Sequence, residues 1–215
     1  MPTAMTFTSL KEDMRRYLER GYVVDTTVFD QLPSLINLAE RAIAGELKFQ
    51  GFINVVVTTL DPGVSVYQKP DRWRETVSMN FGTGDENNTR TSLFPRSYEY
   101  ARSYWPDSAE VALPLFYSDY DYTHWLITPT PGVSYPWEVL YYQQPPLLDD
   151  ATQTNWLTDY APNALLYRSL LEATPFLKND ERIPTWSAMY GQQMQAINTQ
   201  DLQKIVDRSA TRKAP

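Results

Sequence analysis

Phe52-Ile53-Asn54-Val55-Val56-Val57-Thr58-Thr59-Leu60-Asp61-Pro62-Gly63-Val64-Ser65-Val66-Tyr67-Gln68 is the stretch on which the reading of this chain turns. Branched side chains suit a pleated, half-buried surface, and Asp-Pro-Gly supplies the dihedrals of a tight turn. The spacing therefore predicts strands over 52–60 and 64–68 joined by Asp61-Pro62-Gly63. The same signature continues downstream as short β-branched or aromatic runs between Pro, Gly, Asp and Asn clusters. It predicts strands over 73–81, 111–118, 122–128 and 135–143, with Gly82 to Asn88 as a polar loop. Residues 49–149 are expected to form an antiparallel β-sandwich or small barrel. Residues 95–108, with Tyr98, Tyr100, Tyr104 and Trp105 between two prolines, fit neither period and leave room for a short helix.

On either side the period becomes helical. Ser9 followed by Glu12 forms a capping box, Leu10, Met14, Tyr17 and Leu18 share a face, and Gly21 sits where a helix stops, which predicts a helix over about 9–20. Val28, Leu32, Leu35, Ala39, Ala42, Ile43 and Leu47 line a second helix, with Asp25 or Thr27 as its cap and Pro33 near its start. Asn37, Glu40, Arg41, Glu46 and Lys48 make its polar face. Beyond the β-rich block, Trp156, Tyr160, Ala164, Tyr167, Leu171 and Thr174 step by three and four around Pro162, which suits the first position of a helix. A last helix begins near Pro184, carries Trp186, Tyr190, Met194, Ile197, Leu202 and Ile205, and ends near Arg208.

Distant helices must bury their apolar faces together. The expected fold is thus α+β: a bundle of about four helices over 1–48 and 150–208, an inserted β-rich domain over 49–149, and a flexible basic tail over 209–215. Strands that do not alternate with helices disfavour a parallel, doubly wound sheet.

Composition narrows the function. The chain has 215 residues and no cysteine, which removes thiol nucleophiles, disulfides and Cys-type zinc sites and fits a reducing compartment. A formal charge of −7 argues against a nucleic-acid-binding surface, which needs clustered Lys and Arg. No apolar run approaches a membrane span, and Met1-Pro2-Thr3-Ala4-Met5 lacks a signal-peptide layout, so a soluble protein made inside the cell is expected. With 15 Tyr and 6 Trp beside 8 Gly, the chain is rich in flat, amphipathic contact surface.

Catalytic signals are sparse. His124 is the only histidine, and a lone strand-face histidine without a partner motif is far more often structural than catalytic. The carboxylate pairs Asp85/Glu86, Asp119/Asp121, Asp149/Asp150 and Asp180/Glu181 fall in predicted loops or at helix starts, where solvation and the helix dipole account for them. A small acidic hydrolase working through Asp119 or Asp149 is correspondingly weak. Gly82-Thr83-Gly84 lacks the third glycine and following helix of a phosphate-binding loop, and Asn87-Asn88-Thr89 matches a glycosylation pattern by chance. No catalytic residue, cofactor or metal is expected. The aromatic supply of residues 98–142, Trp125 and Trp137 in particular, leaves a carbohydrate- or receptor-binding module as the alternative.

Several stretches together resemble the head-to-tail adaptor, or connector, proteins of short-tailed bacteriophages. They are Asp30 to Ile43 with its Leu-Pro and Ala-Glu-Arg pattern, Lys69-Pro70-Asp71-Arg72-Trp73, Ile127-Thr128-Pro129-Thr130-Pro131, Leu140-Tyr141-Tyr142 and Leu147. The likeness continues through Thr154-Asn155-Trp156-Leu157, Ala161-Pro162, Leu165-Leu166-Tyr167 and Leu170-Leu171-Glu172-Ala173. The resemblance implies a structural virion protein of the neck, assembled in the host cytoplasm and without catalysis. It implies a ring, commonly of twelve copies, between the portal protein and the tail hub, nozzle or fibre components, through which DNA passes and no membrane is involved. The helices would meet the portal and the β-domain the tail. On that basis Lys204, Arg208, Arg212 and Lys213, a basic run in an acidic chain, are the portal-contact candidates, and Asp61, Gly63, Asp85 and Asn87 the tail-facing loop candidates.

Overall fold

The computed structural model describes residues 4–20, 26–47, 50–83, 89–176 and 180–210, with 26, 50, 176 and 201–210 described by backbone alone. Two units emerge, one built from residues 1–51 and 145–215, the other from 52–144.

In the first unit, α1 (Phe7–Leu18) starts one turn earlier than its sequence suggests. Thr6 is the cap, its hydroxyl accepts from the Ser9 amide, and Ser9 completes the reciprocal box. The helix stops at Glu19, which adopts a left-handed φ of 56°. A short α2 (Thr26–Phe29) precedes α3 (Leu32–Glu46), in whose first turn Pro33 sits. After the β-rich unit come α5 (Trp156–Tyr160), α6 (Pro162–Glu172) and α7 (Ile183–Ala210). Pro162 opens α6 because its missing N–H is an orphan donor there anyway, and Ala161 before it is pushed out of helical dihedrals, which parts α5 from α6. Helix α6 lies against α1, α3, α5 and α7. Leu10, Met14, Leu32, Ile36, Ile43, Leu157, Leu165 and Leu170 are buried.

Among the described residues one charged side chain is buried in this core. Glu40 on α3 accepts from the Leu148 amide at 3.0 Å and from Asn155 Nδ2 at 2.5 Å. Asn155 also donates to the Pro146 carbonyl and caps α5. These bonds hold the chain to α3 as it returns from the β-rich unit. Loss of solvent pushes the Glu40 carboxyl up to about 6, against the opposing pull of its two donors and Arg41.

The second unit is one curled sheet of seven strands in the order β1-β9-β3-β4-β6-β7-β2. The strands are β1 (Ile53–Leu60), β2 (Val66–Gln68), β3 (Trp73–Thr83), β4 (Thr89–Pro95), β6 (Phe116–Asp119), β7 (His124–Thr128) and β9 (Tyr135–Gln143). Two residues each of β5 (Val111–Ala112) and β8 (Thr130–Pro131) pair in parallel beside it. The sheet is mixed: β4 and β6 run parallel, and the crossover between them carries α4 (Tyr98–Tyr104). Strand β9 shows the cleanest alternation, with Trp137, Val139 and Tyr141 inward and Glu138, Leu140 and Tyr142 half-covered on the other face.

The core packs Leu60, Met79, Phe81, Leu93, Tyr117, Trp125, Ile127, Trp137 and Val139. Its aromatics meet edge to face, Trp125 against Trp137 at 5.7 Å and Tyr67 against Trp137 at 5.1 Å. The Thr76 hydroxyl accepts from both the Trp73 and Trp125 indole N–H groups.

The expected fold is thereby corrected. The β-rich block is neither a sandwich of two antiparallel sheets nor a small barrel but a single mixed sheet, and the helical unit holds six α-helices among its described residues rather than a bundle of four. The physical reason lies in two places. Residues 89–95 pair with β3 as an extra strand and bring β6 alongside in parallel, so strands expected in two layers share one. The proline breaks divide what reads as continuous helical pattern.

Candidate functional site

The residues with catalytic chemistry are absorbed locally. Around the β6–β7 turn, His124 Nδ1 lies 2.9 Å from Asp121 Oδ2 and 3.0 Å from Thr123 Oγ1. Both partners compete for the same ring nitrogen, whereas a relay needs the carboxylate on one nitrogen and the nucleophile on the other. For the Asp121 carboxyl, loss of solvent raises its value, but the Thr123 hydroxyl and amide and His124 outweigh it and hold it down at about 2. Asp119 pairs with Lys69 at 2.7 Å, and Asp149 accepts the Ala151 and Thr152 amides in its own turn, which lower its carboxyl, Thr152 foremost. Asp180 is clasped by Arg182, first through their side-chain hydrogen bonds, and sits at about 2. Asp119 shares a small cleft with Glu75, Arg74 and Arg96, and no cluster of metal-ligating side chains occurs among the described residues.

Trp125 and Trp137, the candidate glycan platform, are 1% and 2% exposed and belong to the core. Asp61 and Gly63 occupy the exposed β1–β2 turn. The Asp61 amide donates to Tyr67 Oη at 2.7 Å, the Gly63 amide donates to the Pro131 carbonyl at 2.9 Å, and Gly63 takes φ 74°, which a side chain would strain. Lys204 and Arg208 lie on the final turns of α7. Asp85, Asn87, Arg212 and Lys213 lie outside the described residues.

The Lys-Pro-Asp-Arg-Trp stretch has a clear structural job. The Trp73 amide donates to the Pro70 carbonyl, and Arg72 takes the left-handed φ of 59° that this turn needs. The Lys69 amine, side chain 2% exposed, reaches Asp119 and the Asp121 carbonyl and sits 3.7 Å from the centre of the Trp73 ring. It ties the start of β3 to the β6–β7 turn.

Two surfaces remain that bring together groups suited to other macromolecules. The first is α7. It is 28 residues long, about 40 Å at the usual helical rise. Between Ile183 and Gln200 only Trp186 and Tyr190 are buried. Its root is fixed: Tyr190 donates to Glu46 at 2.6 Å, Arg168 bridges Glu46 and Glu172, and the Arg182 guanidinium donates to the Tyr17 carbonyl at 2.8 Å while stacking near Trp186. Burial, then the bond to Glu46, pushes the Tyr190 hydroxyl up. Beside the root is a groove of about 540 Å³ lined by Arg16, Tyr17, Tyr167, Arg182, Trp186 and Met189. Past Tyr190 no residue up to Gln200 is fully buried, and Gln193, Met194 and Ile197 are half-buried.

The second surface surrounds α4. Ser97 caps the helix and Ala101 is its buried residue, so Tyr98, Tyr100 and Tyr104 are left 40–47% exposed. Tyr104 and Tyr100 meet Phe116 edge to face at 5.1 and 5.7 Å, while Arg96 lies over Tyr100 and Arg102 over Tyr98. Reading the sequence missed this surface. A helix offering only Ala101 to the core, with Arg and Tyr interleaved around it, was the signal available.

A long helix gripped at one end and an exposed Tyr-Arg patch on a curled sheet, with no catalytic constellation beside them among the described residues, suit the class of proteins that join other proteins. Residues 5–214 match the family model of the SU10 adaptor protein, and the chain belongs to that family of phage adaptor proteins. The match spans both units, and the resemblance to phage head-to-tail adaptors is borne out as family membership. No curated protein matches the chain.

Proposed function

We propose that this phage adaptor works at the head-to-tail joint as a structural, non-catalytic virion component. Copies form a ring, dodecameric as the resemblance implies, between portal and tail, and the genome passes through it. The observation that carries this reading is α7, anchored through the buried Trp186 and Tyr190 and with no fully buried residue from there to Gln200, where only Gln193, Met194 and Ile197 are half-covered. A helix held so firmly at its root and buried so little beyond it suits insertion into a partner. Lys204 and Arg208 on its last turns, with Arg212 and Lys213 after them in the sequence, make a local reversal of sign that favours an acidic groove on the portal. The β-rich unit then meets the tail, with Asp61, Gly63, Asp85 and Asn87 at its loops. A subunit charge of −7 supports a channel whose walls repel DNA and let it slide.

Native mass spectrometry of the protein with the portal of the same virus tests this. The expected result is a discrete many-copy ring on the portal, lost on deletion of residues 199–215 while the circular dichroism of the remainder stays. A truncated chain that binds the portal as the full chain does would remove α7 from the contact, and a monomer that ignores the portal would remove the adaptor position itself.

A further inference from the structure

Strand β1 ends the sheet, and no strand pairs with its outer edge among the described residues. Natural edge strands are blunted by charge, proline, bulges or shortness. Ile53–Leu60 has eight residues and none of these: no charge, no proline and an unbroken register with β9 from Ile53 to Leu60. The opposite edge, β2, is protected by being three residues long. On the outward face of β1, Val55 is 51% and Val57 67% exposed. Across the ladder Val55 faces Leu140, and beyond it Val77 is the extra residue where β3 bulges against β9 and is 42% exposed. An apolar stripe therefore crosses three strands at an open edge, with Glu138 opposite Val57 as its flanking charge.

The α4 surface of the same unit is its counterpart in chemistry: exposed Tyr98, Tyr100, Tyr104 and Phe94, flanked by Arg96 and Arg102. Among the described residues neither guanidinium is ion-paired; both lie over aromatic rings. Tyr and Arg around an apolar centre are the residues that carry contact energy in protein interfaces.

We infer that these two surfaces bind each other between neighbouring copies, the Val55/Val57 edge of one subunit packing on the Tyr-Arg surface around α4 of the next. The valine stripe covers the aromatic rings and Glu138 meets the arginines. Because the two patches differ, the contact is head-to-tail. Such a contact repeats around a ring when its rotation closes, which two identical patches could not do. The inference rests on the ring proposed above and adds which surfaces make it.

The test uses full-length protein with introduced cysteines, which are unambiguous because the chain has none of its own. Val57→Cys and Tyr104→Cys variants with different mass tags are mixed, assembled as the wild type assembles, and treated with a short bismaleimide. The expected result is a cross-linked pair of unlike tags, absent when either variant is alone. Val57→Lys, which puts a charge on the edge and sets it against Arg96 and Arg102, is expected to abolish the ring with circular dichroism unchanged. If the wild type assembles, yet no mixed product forms and Val57→Lys assembles to the same extent, this contact is overturned and the ring stands. Val57→Cys joined to itself makes the contact two-fold and overturns it too. If the wild type stays monomeric alone and with portal, the ring falls first and the contact with it.

Discussion

Among the described residues each unit buries one charged side chain, and the two are stabilised in different ways. The Glu40 carboxylate of the helical unit accepts from two neutral donors, the Leu148 amide and the Asn155 side chain, with the Arg41 charge as a weaker influence. The sheet gives the Lys69 amine a counter-charge, a carbonyl and an aromatic face, in Asp119, Asp121 and Trp73. Neutral dipoles offset only part of the cost of ionising a buried acid, so its proton stays within reach of solution pH. An ion pair whose carboxylate is itself 65% exposed instead leaves one partner hydrated. The difference teaches where each unit is fragile: the first at a hydrogen-bond donor, the second at the cation.

The largest effect is expected for Asn155→Ala. It removes the cap of α5 and strips Glu40 of its shortest hydrogen bond, at about 3 kcal/mol for a lost cap plus an orphaned buried acceptor. Urea unfolding followed by tryptophan fluorescence would measure it, and a loss below about 1 kcal/mol would mean that Glu40 is satisfied without Asn155. Next comes Lys69→Met, which keeps the apolar stem over Trp73 but loses the charged contacts. Because Asp119 can hydrate, the expected cost is only about 2 kcal/mol. A much greater loss would show Asp119 to be trapped by the pair.

The third test sharpens the contrast through pH. The folded-state value of about 6 for Glu40 lies above the ordinary 4.5, so between these values the folded chain holds the proton more tightly than the unfolded one. The resulting stability is fully present below pH 4.5 and is lost as pH rises through about 6. Its full size is about 2 kcal/mol, the equivalent of this shift. Glu40→Gln should flatten that slope, and equal pH profiles for the two proteins would show that Glu40 carries no such linkage.

What the sequence made legible was local. Pro162 marks the start of α6 because a missing N–H costs nothing there, and Asp61-Pro62-Gly63 marks the first turn because only Gly63 takes its φ without strain. Residues 135–143 read as a strand because every second side chain is large and apolar. Strand β4 was hidden because Leu93 is its only buried residue and no alternation shows. The parallel β4–β6 pair, which turns two expected layers into one sheet, depends on partners far apart in the chain. The exposed aromatic surface was obscured by composition: aromatic residues are plentiful, and nothing local separates Trp125 and Trp137, which are interior, from Tyr98, Tyr100 and Tyr104, which are not. The Lys69–Asp119 pair is equally nonlocal, whereas the sign change along the C-terminal residues is visible in any charge count.

The pairing of Ile53 with Tyr142 has a consequence for folding order. Helices α1–α3 and α5–α7 lie on either side of the sheet's residues in the chain, so their mutual contacts have high sequence separation and would form slowly across an open loop. Once β1 and β9 zip together, the two ends of that loop are held as in a short hairpin, and the closure entropy has already been spent. The sheet is thus expected to act as a kinetic clasp. Helix α6 should gain protection from hydrogen exchange only after β9 does, and a chain in which residues 52–144 are replaced by a tight turn should bring the two sets of helices together sooner than the native chain.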